Sequence, residues 1–543
     1  MKKKRTKYIF VIGGVLSGLG KGITVSSVGR LLKSKGYKVS AMKIDPYVNV
    51  DAGTMNPTEH GEVFVTKDGL ETDQDIGNYE RFLGEELKRV NYMTTGSVYL
   101  SVIQRERNLE YKGKCVEVVP HIPDEVIRRI KVLAKSSKAD IIIIEIGGTV
   151  GEYQNLLFLE AGRMLNLESP GSVQFILVSY LPIPSKIGEM KTKPTQYAVR
   201  TLNSSGIQPD FIFCRSEKPL DGPRKEKLST NCSVRPEDII SAVDVKNIYE
   251  VPLNFDKQKV ASKILDKFGL KPKKGDMKDW KKMVNRAKKA NKKVKIGVVG
   301  KYFGVGDFIL SDSYISVIEA LKHACWQNNA KPELTWINAE EFEKNPAKIS
   351  SLKDYNGIVV PQGWGGRGSE GKIKAIKYIR ENKIPYLGLC YGMQMAVIEF
   401  ARHVLKLEKA NSAEIDPKTP HPVIHIMPDQ EKYLKEKQYG GTIRLGDWPC
   451  RLAKETRIAK AYDNQRLIRE RHRHRYEFNP LYRRKMEAKG LVVAGTSPDG
   501  KLIEAIELKV HPFFVGVQFH PEYKSQPLNP HPLFVEFIRA CLK

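Results

Sequence analysis

Three residues in the second half of the chain have the types and spacing of a thiol catalyst. Cys390 stands in Gly388-Leu389-Cys390-Tyr391-Gly392, between an apolar run (Ile384 to Leu389) and a helical pattern of Met393, Met395, Ala396, Val397 and Phe400. A nucleophile at such an elbow projects from a sharp turn, and the helix N-terminus behind it favours the thiolate. His520 can take the thiol proton and Glu522 can orient the imidazole, both carried by Gln518-Phe519-His520-Pro521-Glu522 at the end of a second apolar run, Phe513 to Phe519. A cysteine in a Gly-x-Cys-x-Gly turn is by itself more often a core residue. The His-x-Glu partner is what favours catalysis.

A second chemistry lies at the other end. Ser17-Gly18-Leu19-Gly20-Lys21-Gly22 falls between the apolar strand Tyr8 to Ile12 and a helix expected over Ile23 to Ser34. Backbone N–H groups and a helix N-terminus there can cradle phosphate. The loop departs from the usual pattern: Val15 stands where the first glycine is expected, and Gly22-Ile23 replaces the magnesium-binding hydroxyl residue. Magnesium must then be held by carboxylates from elsewhere. Asp75 and Glu145 are the candidates, and Lys43 and Asp45 could flank them. Glu145 closes the run Ile141 to Ile144, where a buried charge is costly unless a ligand compensates it. Lys191-Thr192-Lys193-Pro194-Thr195-Gln196 gathers cations, hydroxyls and an amide, fit either for a triphosphate clamp or for a surface loop.

The elements that must position these groups read as α/β throughout. Val39 to Ile44, Ile141 to Ile146, Val173 to Ser179 and Phe211 to Cys214 are further strands of the first part. Their continuous apolar runs predict a parallel sheet covered on both faces. A second unit starts at Val294 to Gly300, continues with a helix over Ser311 to Trp326, and has strands at Gly357 to Val360, Pro385 to Leu389 and Phe513 to Phe519. The expected organisation is residues 1–270 as a nucleotide-binding domain, 271–293 as a basic linker or charged surface helix, and 294–543 as the thiol-bearing domain.

Composition narrows the class. The chain has 543 residues, 41% of them hydrophobic, enough for large cores, and seven cysteines with no paired spacing. That excludes a disulfide frame or zinc knuckle, and a thiolate nucleophile predicts a reducing, cytoplasmic setting. The basic start followed by Tyr8 to Ile12 imitates a signal peptide but runs straight into the glycine-rich loop, and no apolar run is long enough to span a membrane. The net charge of +28 raises nucleic acid as a partner. Residues 271–295 alone hold 12 basic and 2 acidic side chains with Trp280 as their one aromatic, which reads as a solvated segment rather than a base-stacking platform.

Together these segments resemble the CTP synthases, glutamine-dependent ligases that aminate UTP. The resemblance spans about residues 7 to 540. It also rests on Met42 to Tyr47, His60 to Val65, Ile146 to Gly151, Gly441 to Gly446 and Arg471 to Glu477. It implies a P-loop-type parallel-sheet synthase domain followed by an α/β class I glutamine amidotransferase domain. It implies that ATP phosphorylates the uracil 4-oxygen and that ammonia released at Cys390 displaces the phosphate. His60 and Val63 match residues of the family's ammonia passage. By position, Gly18, Leu19, Gly20, Lys21, Gly22 and Ile23 would bind ATP phosphates, with Asp75 and Glu145 holding Mg²⁺ and Val243, Asp244 and Val245 meeting adenine. Ser17, Glu152, Tyr153, Gln154, Lys191, Thr192, Lys193, Pro194, Thr195, Gln196 and Lys227 would meet UTP or CTP. Gly363, Tyr391, Gly392, Met393, Gln394, Glu414 and Arg475 would meet glutamine, with Cys390, His520 and Glu522 as the triad. The resemblance further implies activation by GTP and a homotetramer, with neither membrane nor specific nucleic acid as partner.

Some positions depart from the family pattern. Gln362 replaces a glycine whose backbone helps build the oxyanion hole. If that position takes a positive φ, a glutamine costs on the order of 1 kcal/mol, and a misplaced donor ~10²-fold in rate. Glu152-Tyr153-Gln154 replaces Asp-Ile-Glu, which would alter CTP inhibition. Asn231 stands for a phenylalanine, Val243 for a basic residue, and Phe303 to Leu310 is longer than usual. The alternatives are therefore a synthase with impaired glutaminase using free ammonia, or a non-catalytic nucleotide-binding regulator.

Overall fold

The structure is a computed structural model that describes residues 5–186, 188–301, 304–305, 308–309, 311–427, 430–436 and 440–543. Residues 1–51 with 75–284 form one compact unit, and residues 52–74 with 285–543 form the other. The two units therefore do not follow a single cut in the sequence.

The first unit is built on seven parallel strands in the order Tyr92–Thr94, Val39–Asp45, Ile141–Ile146, Lys7–Gly13, Val173–Tyr180, Phe211–Ser216, Ile239–Val243. Every residue of Ile141–Ile146 is buried, as a sheet covered on both faces requires. On one face Phe10, Ile142 and Ile144 join Val126, Ile130 and Leu165 of helices Val118–Ser137 and Leu156–Glu168. Helix Lys21–Ser34 covers the opposite face, burying Val25, Val28, Leu31 and Leu32. Each such aliphatic side chain contributes roughly 1.5–3 kcal/mol by leaving water. The two edge strands, Tyr92–Thr94 and Ile239–Val243, extend the sheet beyond those expected from the sequence.

The basic segment after residue 270 is partly helical, over Lys278–Lys289. Trp280, Met283 and Val284 fall at i, i+3 and i+4 and are buried, while the lysines take the other side. Trp280 donates from Nε1 to Tyr249 O (2.8 Å), and the Arg30 guanidinium lies 4.9 Å over its ring.

The second unit has a nine-stranded mixed sheet. Five parallel strands (Ala330–Asn338, Lys292–Gly300, Gly357–Val360, Tyr386–Leu389, Phe514–Val517) are continued by four antiparallel ones, Ile503–Leu508, Leu491–Thr496, Arg444–Leu452 and Leu467–His474. The hairpin of Val63–Val65 and Glu71–Asp73 belongs to this unit. Phe64 meets the Tyr523 ring at 4.9 Å, Tyr523 Oη donates to Val63 O (3.0 Å), and Arg473 Nε donates to Glu71 Oε1 (2.8 Å). The expected helix from Ser311 splits into a 3₁₀ turn, Ser311–Tyr314, and the α-helix Ile315–Gln327. Of the long connection over Phe303 to Leu310, only the short antiparallel pair Gly304–Val305 and Phe308–Ile309 is described, and the rest lies outside the described residues.

Candidate functional site

In the first unit the strand Lys7–Gly13 runs into the glycine-rich loop, and helix Lys21–Ser34 starts directly after Gly20. Gly18 (φ 68°) and Gly20 (φ 77°) take left-handed backbone, which a Cβ would disfavour, and so turn the chain into the helix. The free N–H groups of the first helical turn therefore face the loop. Lys21 Nζ donates to Gly148 O, and Arg215 Nη1 donates to Gly18 O (2.8 Å) while its Nε pairs with Asp244 Oδ1 (2.8 Å). Burial lowers the Lys21 pKa, with Glu145 and Asp75 pulling the other way.

Gly22 explains the missing hydroxyl. A Cβ on residue 22 would stand 2.1 Å from Asp75 Oδ1, so the carboxylate takes the space a Ser or Thr side chain would fill. Lys43 Nζ pairs with Asp75, with Glu145 Oε1 (2.9 Å) and with Asp45 Oδ1 (3.6 Å), and Tyr79 Oη donates to Glu145. Burial and the nearby Asp75 push the Glu145 carboxyl up, against Lys43 and Lys21. Burial also works to raise Asp75, but Lys43 and Lys21 hold it below the usual carboxylate range. Asp75 and Glu145 offer oxygen donors, the ligand type that Mg²⁺ takes, and would be the residues to hold it. Among the described residues no group of three or more His, Cys, Asp or Glu side chains forms a metal cluster.

Beside the loop is a cavity of about 150 Å³ walled by Leu19, Ile23, Val243, Val245, Val251 and Phe255. It brings Val243, Asp244 and Val245 to the phosphate loop, and its apolar wall suits the face of a base. The Lys191–Gln196 segment is the entry to helix Lys193–Ser204, with Pro194 in its first turn. Thr195 Oγ1 is hydrogen-bonded to Ser179 Oγ (2.8 Å) and Gln196 Nε2 donates to Thr192 Oγ1 (3.1 Å), all buried. The lysines stay outside: Lys191 pairs with Glu189 (2.6 Å), and Lys193 and Lys227 are exposed, as is Ser17. Glu152 accepts from Thr149 N (2.8 Å), Thr149 Oγ1 (2.6 Å) and Gln154 Nε2 (2.8 Å), whereas Tyr153 is 92% exposed.

In the second unit Cys390 sits at φ 50°, ψ −100°, directly ahead of helix Tyr391–His403. Non-glycine residues persist in such backbone only where the surroundings over-determine them, typically at functional sites. Here Cys390 N donates to Val517 O (2.7 Å), and a Cβ on Gly392 would lie 2.0 Å from Val360 O. Gln518 Nε2 donates toward Cys390 Sγ (3.5 Å). His520 Nδ1 is 2.7 Å from Glu522 Oε1, and its ring stacks on Tyr523 at 5.0 Å. Burial works to lower the His520 pKa, but Glu522 and Cys390 outweigh it and raise it to about 10, so the ring carries a proton at neutral pH.

A cavity of about 350 Å³ is lined by Glu414, Arg475, Trp364, Arg473 and Tyr476 among others. Glu414 Oε1 accepts from Gly365 N (2.7 Å) and Arg475 Nη2 donates to Thr442 Oγ1 (2.9 Å). Gln394 is buried behind this wall, where its Nε2 donates to Tyr476 O (2.8 Å) and to Gln518 Oε1 (3.3 Å). Tyr391 Oη donates to Gly365 O (2.6 Å), and Met393 lies in the core against Gly516. Val63 and Gln362 border a smaller cavity of about 20 Å³, while His60 is exposed. The strain expected at Gln362 is corrected: its φ is not positive, and its side chain turns to Glu62 (Nε2 to Oε1, 3.5 Å). Tyr79, Arg215 and the buried Lys372 have no signal in the sequence, because each enters through the fold and none belongs to a local pattern, whereas Gln518 lies in the Gln518 to Glu522 segment but has no role assigned from it.

A parallel-sheet α/β unit with a glycine-rich loop and a second α/β unit with a Cys-His-Glu constellation have the arrangement of a two-part α/β enzyme of the glutamine-dependent type. The family profile described as "CTP synthase N-terminus" matches residues 7–270, and that described as "Glutamine amidotransferase class-I" matches residues 309–540. The chain is 51% identical over 537 residues to the CTP synthase of Caldanaerobacter subterraneus subsp. tengcongensis, covering 99% of this chain and 98% of that one. It is 52% identical over 538 residues to that of Clostridium kluyveri, with the same coverage. Among solved structures it is similar to the glutaminase domain of Trypanosoma brucei CTPS with bound acivicin, at 34% identity and a TM-score of 0.42, over 46% of this chain and 93% of that one. The chain belongs to the CTP synthase family.

Proposed function

We propose that the chain makes CTP from UTP, ATP and L-glutamine. The observation that supports this most is Cys390 in strained backbone beside His520 and Glu522, in a chain whose other unit holds Asp75 in the place of a loop hydroxyl. The Cys390 thiolate attacks the amide carbon of glutamine, and protonated His520 gives its proton to the departing ammonia. His520 then takes a proton from the water that releases glutamate from the thioester. Glu414 and Arg475 suit the amino and carboxylate groups of the substrate.

In the other unit the first turn of helix Lys21–Ser34 and Lys21 hold the ATP phosphates, and the 243–245 wall takes the adenine. Asp75 and Glu145 would hold Mg²⁺, which neutralises charge on the transferring phosphoryl group. Phosphorylating the uracil 4-oxygen turns a poor leaving group into a good one, and ammonia displaces it at C4. Lys191 to Gln196, Lys227, Ser17 and Glu152 to Gln154 are the proposed UTP or CTP contacts. Activation by GTP is carried over from the family resemblance. So is a homotetramer, which the exposed apolar side chains Val48, Val50, Ile103 and Leu109 of the first unit support. The free cysteines suit a cytoplasmic setting, and no helix among the described residues is long and apolar enough to cross a membrane.

The test follows CTP formation with glutamine, with and without GTP, and with ammonium chloride. Cys390→Ala is expected to lose glutamine-dependent synthesis and keep ammonia-dependent synthesis. Glutamine-dependent synthesis that survives Cys390→Ala overturns the thiol assignment.

A further inference from the structure

Lys372 is a buried lysine that the chemistry above does not use. It lies on helix Ser369–Glu381, is 0% exposed, and has its amino group beside the active-site turn. Nζ donates to Pro361 O at 3.2 Å and lies 5.1 Å over the Tyr391 ring. A Cβ on Gly363 would come within 3.6 Å of Nζ. Burial, and then the neighbouring Lys301, push its pKa well below the ordinary lysine range, with Cys390 opposing. The amine is fully buried, where a polar group is costly unless it makes a needed hydrogen bond.

Its acceptor is the informative part. Pro361 O and the Gln362 N–H belong to one peptide plane, and in a trans peptide the two point in opposite directions. Holding the carbonyl toward Lys372 therefore aims the Gln362 N–H away from it. Among the described residues that N–H meets no acceptor, so it is free to donate to a ligand. The next carbonyls are held as well: Tyr314 Oη lies 3.4 Å from Gln362 O, and Lys301 Nζ donates to Trp364 O and to Gly365 O (2.9 Å).

We infer that Lys372 is a positioning residue of the glutaminase site: by fixing the Pro361–Gln362 peptide it presets the Gln362 N–H as an oxyanion donor for glutamine attacked by Cys390. The inference rests on the glutaminase reading above. It also accounts for a glutamine at position 362, since only the backbone of that residue is used and its side chain is directed to Glu62.

Lys372→Met keeps an unbranched apolar stem out to the ε position and removes the donor. In the full chain its kcat for glutamine-dependent CTP formation is expected to fall on the order of 10²-fold, the cost of one oxyanion donor. KM for glutamine should stay within threefold, because Glu414 and Arg475 are untouched. Alkylation of Cys390 by iodoacetamide, which forms no oxyanion, should keep its parental rate, and ammonia-dependent synthesis reports an intact fold. Lys372→Leu reads the same quantities should the methionine variant not accumulate. A kcat within threefold of the parent overturns the inference, as does a parallel fall of kcat, alkylation rate and ammonia-dependent synthesis. If Cys390→Ala still uses glutamine, it is the glutaminase reading that fails instead.

Discussion

The Asp75 carboxylate stands where a side chain on Gly22 would have to be, with only 2.1 Å between its Oδ1 and an ideal Cβ on residue 22. The loop gives up its own hydroxyl and receives a carboxylate from helix Asp75–Leu83 in return. Gly22→Ser, which restores the usual phosphate-loop residue, is therefore expected to damage the enzyme. Displacing Asp75 by an ångström or more should lower kcat about 10²-fold, with glutamine and with ammonia alike, and raise the Mg²⁺ concentration for half-maximal rate. Steady-state rates over a magnesium titration check it, and a loss confined to glutamine contradicts it.

Glu522 and Cys390 together raise the His520 pKa to about 10. An imidazole in the unfolded chain titrates near ~6.5, so the folded state binds the proton more tightly. The resulting stability is complete below about pH 6.5 and is lost as the pH climbs through about 10. Glu522→Gln removes the anionic partner. The parent's melting temperature should fall more steeply than the variant's between pH 7 and 10, as differential scanning calorimetry would record. The same variant should lose up to about 10⁴-fold in glutamine-dependent kcat, as when a triad carboxylate is neutralised.

The parallel strands were legible because they are continuous apolar runs, and Ile141–Ile146 matches the structure residue for residue. Cys390 was legible for a related reason, since glycines on both sides of a strand-to-helix junction mark a sharp turn. The antiparallel wing was not legible. Leu467–His474 reads Leu-Ile-Arg-Glu-Arg-His-Arg-His, yet it is a strand whose Arg471, His472, Arg473 and His474 are all buried. Its charges are compensated by residues far away in sequence, as Arg473 is by Glu71, and a local pattern cannot show that. The condition for strain at Gln362, a positive φ, is not met, and the sequence could not decide it because φ is a property of the folded turn and not of the residue type. The cavity walled by Glu414 and Arg475 likewise draws on Met55 and Glu71, some 300 or more positions upstream.

The basic segment after residue 270 is a solvated stretch by composition, but Trp280 is buried there against Tyr249, Phe82 and Arg30. Trp280→Ala should lower the stability of the first unit by about 3–5 kcal/mol, as for other buried aromatic truncations. Surface replacements such as Lys282→Ala should stay within about 0.5 kcal/mol. Hydrogen exchange of the amides of Ile141–Ile146 along a denaturant series, which reports the first unit itself, separates the two outcomes. Equal effects would make the segment a mere tether.

Phe64 lies within the first 270 residues yet is packed in the thiol-bearing unit. Its ring meets Tyr523 at 4.9 Å, Tyr523 stacks on His520 at 5.0 Å, and the Arg471 guanidinium lies 5.3 Å over Phe64. Phe64 thus supports the ring that supports the His520 imidazole. Phe64→Ala would open a cavity under Tyr523 and cost about 3–5 kcal/mol. Relaxation of Tyr523 into that space would loosen His520, and a misplacement of about 1 Å at a reacting group can cost ~10²-fold in rate. The expected result is a variant with lower glutamine-dependent kcat and near-parental ammonia-dependent synthesis, although the substitution falls in the synthase half of the sequence. Phe64→Leu fills more of the space and should recover most of the loss. If Phe64→Ala instead impairs ammonia-dependent synthesis to the same degree, the loss is one of general stability, and the packing of Phe64 under Tyr523 is incidental to glutamine hydrolysis.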